Sequence, residues 1–399
     1  MIAALPHPAF FWALLALCLT GFVLLYRAVR DAGRGARLRA VRRRIDALGT
    51  PAAEADEVAV HALRDAMSQA RQALRQAPRA RNARDPLGVR DPRDLDAPVP
   101  WFLFFGDAAA NLPGLLSAAH GERMAPATAG HEPFGEAYWR WWHTGAMAAI
   151  ELHAGAVSQK TTMAMAPHAR ALWLQALLAL AEQRDRLPLH GLVACIGASE
   201  LLRANADLDR DPDASRPLAM RIRRLIDEAG DTLRLQLPVY LVVTGLEQLP
   251  GYATLRGALP PEVLAQALGH RLTDPFAAAG ITAAERLDAL FGPLALQLHA
   301  LRMALLREQP SAAGRLAIHE FVEAVRALQP ALRQVAQVLF ESHGRGSRPP
   351  RWRGLYFTAA ASGAASGAFV GDLFDRFLPA DQPLARPGRP SSSATAAPP

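Results

Sequence analysis

Lysine and cysteine are both scarce in this chain of 399 residues. Lys160 is the single lysine, and arginine supplies the other cationic side chains. The two cysteines, Cys18 and Cys195, lie in separate apolar runs. This placement predicts two thiols in apolar surroundings and argues against a disulfide or a cysteine metal site. The length allows one large domain or two ordinary ones, so core size is no constraint.

Charged side chains are absent from residues 1–26. Phe10 to Tyr26 (FFWALLALCLTGFVLLY) is about the minimum length for a bilayer-spanning helix, with Trp12 and Tyr26 near its ends. A cleaved signal peptide is the competing interpretation, but it would carry positive charge before the apolar run rather than after it. We therefore predict an uncleaved, single-pass anchor over residues 1–30, with the N-terminus outside and the main domain in the cytoplasm.

Positive charge is concentrated in one segment. Between Arg27 and Arg44 eight arginines stand against Asp31 alone, a net charge of +7 that equals the +7 of the whole chain. The rest of the chain is therefore neutral and shows no usual recognition motif, so we expect no nucleic-acid partner. A basic fringe beside an apolar run is typical of membrane topology. We predict a basic juxtamembrane helix and linker over residues 31–97, able to contact anionic lipid.

That segment has two further parts. Ala52 to Gln76 has apolar residues at helical spacing, which predicts an amphipathic helix. A stalk packed on the chain's own domain is favoured over a partner-binding helix. Ala77 to Pro98 is rich in arginine, aspartate and proline and is predicted to be the linker before the globular domain.

The stretch from Pro98 to Leu116 (PVPWFLFFGDAAANLPGLL) has the features of a strand that leads into a binding loop. Trp101 to Phe105 is a short apolar run typical of a buried parallel strand. Pro113 and Gly114 follow, and proline suits the first position of a helix. A strand, a tight loop and a helix start are the context of a phosphate-binding P-loop.

The P-loop pattern G-x-x-x-x-G-K-[ST] fits this stretch only in part. Gly106 matches the first glycine, and Asn111 replaces the second with the next-best residue for positive φ. Leu112 replaces the phosphate-binding lysine, and Pro113 replaces the magnesium-binding hydroxyl. Asp107 adds a negative charge nearby. Together these changes should weaken nucleotide binding by on the order of a thousandfold or more.

Strand-like and helix-like runs alternate after Pro98. This pattern predicts an α/β domain over residues 98–255, P-loop NTPase-like, with a mostly parallel sheet. Residues 256–377 are predicted to form a helical extension and a final strand, and residues 378–399 a disordered tail. A second membrane span over Gly354 to Gly371 is considered and disfavoured, because that stretch has few large apolar residues. The predicted strands are Trp101 to Phe105, Ala146 to Leu152, Leu192 to Ile196, Val239 to Val243 and Gly354 to Thr358.

Five segments in order resemble the IcmF/TssM family, inner-membrane proteins of bacterial type VI secretion systems. They are VPWFLFFG from Val99, YWRWWHTGAMAAIEL from Tyr138, LHGLVACI from Leu189, LPVYLVVTGLEQLPGY from Leu237, and RGLYFTAA from Arg353. The resemblance covers about Val99 to Phe374 and implies the family's N-terminal cytoplasmic NTPase-like half. Family members continue into another span and a periplasmic region, so this chain resembles a truncated form.

The resemblance also implies where a nucleotide site would be. Glu151 stands in place of the family's switch aspartate, while Thr244 and Glu247 stand in the base-reading T-K-x-D segment. Gly106, Asn111, Glu151, Thr244 and Glu247 are therefore candidates for a vestigial GTP or ATP site. Because phosphate, metal and base positions all depart from the family pattern, we expect a pseudo-NTPase scaffold rather than an enzyme.

The resemblance implies location and partners as well. The location is the bacterial inner membrane, with a periplasmic N-terminus. The implied partners are a DotU/TssL-type membrane protein and baseplate components, and a homo-oligomer is left open.

Three alternatives stay open. One is a weak nucleotide-binding regulator of secretion-complex assembly, with Asn111 and Glu247 supporting a magnesium-independent site. Another is an anchored protein of unrelated function on a P-loop-like fold, since fold does not fix function. A metal site of His143, Glu151 and His153 is disfavoured, because histidines at strand ends are more often hydrogen-bonded structural residues. We predict no metal.

Overall fold

The computed structural model describes residues 7–46, 57–76, 99–124, 139–157, 167–184, 187–207, 210–211, 213–272, 280–342, 349–361 and 366–388. The helices are α1 (His7–Asp46), α2 (Glu57–Gln76), α3 (Leu112–Ala118), α4 (Pro167–Gln183), α5 (Ala198–Asp207), α6 (Arg216–Leu233), α7 (Tyr252–Gly257), α8 (Pro261–Ala265), α9 (Ala283–Glu308), α10 (Ala312–Arg326) and α11 (Gln329–Phe340). The strands are β1 (Trp101–Gly106), β2 (Glu122–Arg123), β3 (Trp139–His143), β4 (Ala148–Leu152), β5 (Gly191–Gly197), β6 (Leu235–Gln236), β7 (Pro238–Thr244), β8 (Leu268–Arg271), β9 (Arg351–Phe357) and β10 (Arg386–Pro387).

Eight strands form one sheet in the order β2-β3-β4-β1-β5-β7-β9-β8. The five central strands, from β4 to β9, are parallel, and β2, β3 and β8 join the two edges in antiparallel pairs. The mixed α/β fold with a mostly parallel sheet is thus confirmed. A sheet of this kind is buried on both faces, which explains why its central strands are continuous apolar runs.

Alternate residues of β1 divide the core into two layers. Trp101, Leu103 and Phe105 face the layer covered by α4, α5, α6 and the α9–α11 group. Phe102 and Phe104 face a smaller layer formed by α3 and the turns after β9. All six strand residues are buried, because helices or turns cover both sides.

The amphipathic helix α2 packs on the domain. Leu63, Ala66, Met67 and Ala70 are buried and lie on one helical face. Arg71 donates to Gln183 at the end of α4, at 2.8 Å. The predicted stalk packed on its own domain is confirmed. The predicted linker over 77–98 lies outside the described residues apart from its end.

Helix α1 has two different halves. From Phe11 to Tyr26 every side chain is exposed, Cys18 included. Its last turns pack on α4 and α6, where Val41 is buried and Leu38 and Ile45 pack against the core. The structure thus places a packed basic end and an exposed apolar end on one continuous helix.

Among the described residues, α9 alone has the length and apolar composition of a membrane-spanning helix, and Phe11–Tyr26 is a shorter apolar segment. One face of α9 is buried in the core through Leu287, Phe291 and Leu294. Its N-terminus is closed by a capping box between Thr282 and Glu285. These are contacts of a helix packed against its own domain.

Several predictions of local structure are wrong. Trp139–His143 is a strand, although it is absent from the predicted strands. The predicted helical extension contains the edge strand β8, which includes His270 and Arg271. Residues 378–388, expected to be disordered, form turns and pair through β10 with β6. The rest of the predicted tail lies outside the described residues.

Candidate functional site

The carboxyl ends of the five parallel strands meet at one edge of the sheet. The chain leaves β1 to build β3 and β4 on one side, then crosses to β5 on the other side. A change of direction of this kind creates a crevice between neighbouring loops, and ligands of open α/β sheets bind there. The loops after β1 and β5 are therefore the expected location of a ligand-binding site.

The loop after β1 folds into a short turn over Ala108–Ala110 and then enters α3. Asn111 has φ 44° and ψ 59°, in the left-handed region, as its position in the pattern requires. Its Oδ1 accepts from the Gly114 amide at 3.3 Å. The amide that could contact a phosphate is therefore capped by the chain's own side chain.

Leu112 and Pro113, at the lysine and hydroxyl positions of the pattern, have no side-chain group that could bind phosphate or magnesium. Leu112 is buried and belongs to the same apolar cluster as Phe104 and Trp142. Pro113 is exposed and removes one amide from the first turn of α3. The side chain at the lysine position thus packs inward.

The ends of β1 and β5 and the turn after β1 approach one another closely. A Cβ added at Gly106 would lie 2.5 Å from the carbonyl oxygen of Cys195. One added at Gly197 would lie 2.6 Å from the Cβ of Ala109. Gly106 is needed because the end of β1 lies this close to β5, and Gly197 because the turn after β1 rests on the end of β5.

Asp107 lies in this contact. It is 7% exposed, and its Oδ1 accepts from the Gly197 amide at 3.2 Å. Burial raises the pKa of Asp107 to about 6, with the charge of Glu200 acting in the same direction. At neutral pH a carboxylate therefore occupies the loop where an anionic phosphate would have to bind.

Glu151 is used in a buried ion pair on the sheet. Its Oε1 accepts from Arg140 at 3.1 Å and its Oε2 accepts from the Trp142 indole at 2.8 Å. The residue is 3% exposed. Both carboxylate oxygens are thus bound by groups of β3, the strand that the sequence did not predict.

Thr244 and Glu247 lie at the ends of the central strands. Thr244 is buried, and its hydroxyl donates to the Ile196 carbonyl at 3.5 Å, the limit of a hydrogen bond. Glu247 accepts from the Ala360 amide at 2.9 Å, which joins the loops after β7 and β9. Gly245 between them has φ 81°, a conformation that favours glycine. The structure brings Gly106, Asn111, Thr244 and Glu247 to the same edge, with Glu151 on β4.

The histidines considered as metal ligands have other roles. His153 Nδ1 accepts from the Gly155 amide at 3.2 Å and caps the turn after β4. Burial lowers the pKa of His143. Within the described part of the chain, no group of three or more His, Cys, Asp or Glu side chains could hold a metal ion.

A buried charge network lies at the other end of the sheet, where sequence reasoning missed it. Asp381 accepts from Arg353 at 2.7 and 3.0 Å and from the Tyr240 hydroxyl at 2.7 Å. Burial and the negative charge of Asp381 raise the pKa of Tyr240. The carboxylate comes from the segment that composition classed as disordered, so no local pattern could have identified it.

Comparison with known proteins extends these observations. The family described as "IcmF-related N-terminal domain" matches residues 167–396. β1 and the loop after it lie before that match. The "Type VI secretion system component TssM1" of Pseudomonas aeruginosa is 29% identical over 241 residues, which cover 60% of this chain and 20% of the relative. No solved structure matches. Because the family match covers more than half of the sequence, this chain belongs to the IcmF-related family.

Proposed function

We propose that the protein is a membrane-anchored scaffold component of a type VI secretion system, with a degenerate nucleotide-binding domain and no enzymatic activity. The related TssM1 is named as a component of such a system. Since this chain spans one fifth of that relative's length, the proposal concerns only the part the two share.

One observation carries the scaffold proposal: the groups of the candidate site are bound to the protein itself. Asn111 caps α3, Glu247 binds the Ala360 amide, and Asp107 holds the start of α5. Leu112 fills the core where a lysine would contact phosphate. A P-loop-like frame whose polar groups are bound to its own loops can support partners without binding nucleotide.

The anchor in this proposal is the exposed apolar half of α1, followed by arginines that favour a cytoplasmic domain. The partners are a DotU/TssL-type inner-membrane protein and cytoplasmic baseplate components. Co-purification of either from detergent-solubilised membranes supports this part, and consistent failure to recover both contradicts it.

Alkaline extraction of membranes distinguishes the two apolar helices. Leu17 on α1 is 70% exposed and Leu296 on α9 is 73% exposed, so the two leucines form a matched pair. We expect Leu17→Arg to release the protein into the soluble fraction, because a charge in mid-bilayer is costly. Leu296→Arg should leave it in the membrane. The reverse result would identify α9 as the spanning helix and overturn the proposed anchor.

A fluorescent-nucleotide titration tests the degenerate site. The full chain in detergent is titrated with GTP and ATP analogues, with and without magnesium. We expect no binding up to millimolar nucleotide in the wild type and none in Asp107→Asn, because Leu112 and Pro113 still occupy the phosphate and metal positions. Micromolar, magnesium-dependent binding that is lost on Glu151→Ala or Glu247→Ala would instead establish the nucleotide-binding regulator.

A further inference from the structure

Helix α9 has an apolar surface on both sides. Its inner face is buried in the core. Its outer face carries Ala289, Pro293, Leu296, Ala300 and Met303, spaced alternately by four and three residues, and each of these is exposed. We call these five residues the α9 stripe. Leu296 is 73% exposed and Met303 is 43% exposed, the largest apolar groups on this face.

Four-and-three spacing places side chains in line along one side of a helix, which is the geometry for packing against another helix. The small residues of the stripe allow close approach of the partner backbone. Charged residues beside the stripe are already used within the domain, since Asp288 pairs with Arg333 and Arg302 pairs with Glu323. The middle of the stripe is therefore an apolar surface, and Asp288 and Arg302 beside it are engaged elsewhere in the domain.

The charges at the ends of the stripe indicate which helix fits. Glu285 precedes Leu296 by 11 residues and Arg307 follows it by 11 residues. If two copies of α9 pack antiparallel with a two-fold axis at Leu296, each Glu285 lies opposite Arg307 of the other copy. Ala289 likewise lies opposite Met303, a small residue against a large one. Such self-complementarity is the requirement for an isologous contact.

We infer that the α9 stripe binds the α9 stripe of a second copy of this chain, as an antiparallel helix pair centred on Leu296. This pairing depends neither on the anchor nor on the state of the nucleotide site. A single helix pair buries about 1,000 Å² of surface in total, which is at the low end for specific interfaces, so the dimer is weak and reversible. A bilayer surface is the other partner for an apolar helix face. It is disfavoured here because surface-bound helices carry an excess of Lys and Arg beside their apolar face, whereas the exposed charged residues beside this one, Glu285, Arg307 and Glu308, have a net negative charge.

Cysteine cross-linking of the full chain in mild detergent tests this pairing. The background variant is Cys18→Ser, because Cys195 is buried and burial raises the pKa of its thiol, which makes it unreactive. Leu296→Cys should form covalent dimers with a short bismaleimide several-fold more efficiently than Leu316→Cys. Leu316 is the matched control, a leucine 57% exposed on α10 and outside the stripe. Equal efficiency of the two variants would overturn the proposal.

Orientation is tested with two further variants. In the antiparallel pair the two copies of residue 289 lie about 21 Å apart, so Ala289→Cys alone should not cross-link with a short reagent. A mixture of Ala289→Cys and Met303→Cys, carrying different tags, should give the mixed dimer. Efficient cross-linking of Ala289→Cys to itself would indicate a parallel pair and contradict the inference.

Charge reversal and lipid contact complete the test. Arg307→Glu should reduce Leu296→Cys cross-linking several-fold, and adding Glu285→Arg should restore it. Because Glu285 also caps α9, Glu285→Gln serves as the control that keeps the capping hydrogen bond.

A fluorophore attached to the new thiol of the Leu296→Cys variant should not be quenched by brominated lipids in vesicles of phosphatidylglycerol and phosphatidylethanolamine. Strong quenching would assign the stripe to the membrane and overturn the dimer.

Discussion

Asp107 and Asp381 are both buried carboxylates, but they lie at opposite ends of the sheet and in different electrostatic surroundings. Asp381 is held by the Arg353 guanidinium and the Tyr240 hydroxyl near the amino ends of β7 and β9. Asp107, at the carboxyl end of β1, accepts from the backbone amide of Gly197. Burial raises its pKa to about 6.

The difference separates a charge that stabilises the fold from one that costs stability. A buried ion needs a partner of opposite charge, and Asp381 has one within hydrogen-bond distance. Asp107 lies in the crevice where other proteins of this architecture bind ligands, and its carboxylate is tolerated there at the expense of stability. The buried carboxylate near the amino ends of β7 and β9 thus has a cationic partner, whereas the buried carboxylate at the candidate site accepts from a backbone amide.

The largest effect is expected for Asp381→Asn. A neutral amide leaves the buried Arg353 cation uncompensated, so the free energy of unfolding should fall by about 3–5 kcal/mol in urea denaturation. Asp372→Asn, a half-buried residue outside the network, is the control and should change stability by less than about 0.5 kcal/mol. Equal effects of the two substitutions would show that the network does not hold the segment in place.

Asp107→Asn should have the opposite sign. The folded state retains the Asp107 proton from pH 3.8 up to about 6, so wild-type stability falls as pH rises through that window. The variant lacks this loss and should be more stable by about 2–3 kcal/mol above pH 6, with no gain at pH 4. The measurement is the free energy of unfolding of both proteins at several pH values.

His190 is a second group whose titration changes the stability of both proteins with pH. Burial lowers its pKa to about 3, so its contribution to stability is lost as pH falls below 6.5. Because His190 is present in both proteins, its effect cancels in their difference. A stability difference independent of pH would contradict the assignment to Asp107.

Glu247→Ala should cost about 1–3 kcal/mol, because the partly buried amide of Ala360 loses its acceptor. Glu247→Gln keeps an oxygen in the same place and should be nearly neutral. The two variants together test whether Glu247, at the predicted base-reading position, stabilises the contact between the loops after β7 and β9. If both variants are neutral in thermal unfolding, the contact between the loops does not contribute to stability.

The smallest effect is expected for Arg42→Ala. Arg42 lies 3.3 Å from Glu182, with side chains 62% and 36% exposed, so water and salt screen the pair. The loss should be below about 1 kcal/mol. A loss comparable to that of Asp381→Asn would mean that burial is not what distinguishes the two ion pairs.

The sequence was sufficient for the centre of the sheet and insufficient for its edges. The central strands were predictable because both of their faces are buried, which requires continuous apolar runs. β3 was missed because its tryptophans alternate with Arg140 and point to both faces. β8 was missed because it is half-buried, contains Gly269 and exists only through its pairing with β9.

The candidate site was predictable in position but not in contacts. Gly106 and Asn111 could be located by spacing from a strand that sequence identifies. The partners of Glu151 and Glu247 come from β3 and from the loop after β9, which are distant or unpredicted elements. The Asp381 network joins residues 141 apart in sequence, a separation at which composition carries no information.

The two ends of the described domain meet at one corner. Arg44, in the last turn of α1, donates to Thr232, and the amide of Gly388 donates to the carbonyl of Arg234 two residues further on. This corner lies at the amino end of β7, about 23 Å from its carboxyl end at the rise of a parallel strand. A mechanical force applied to α1 and to residue 388 would therefore act at two neighbouring points of the domain. It would not be transmitted across the eight-stranded sheet. The carboxyl edge of the sheet, with the candidate site, is the edge that lies away from this corner.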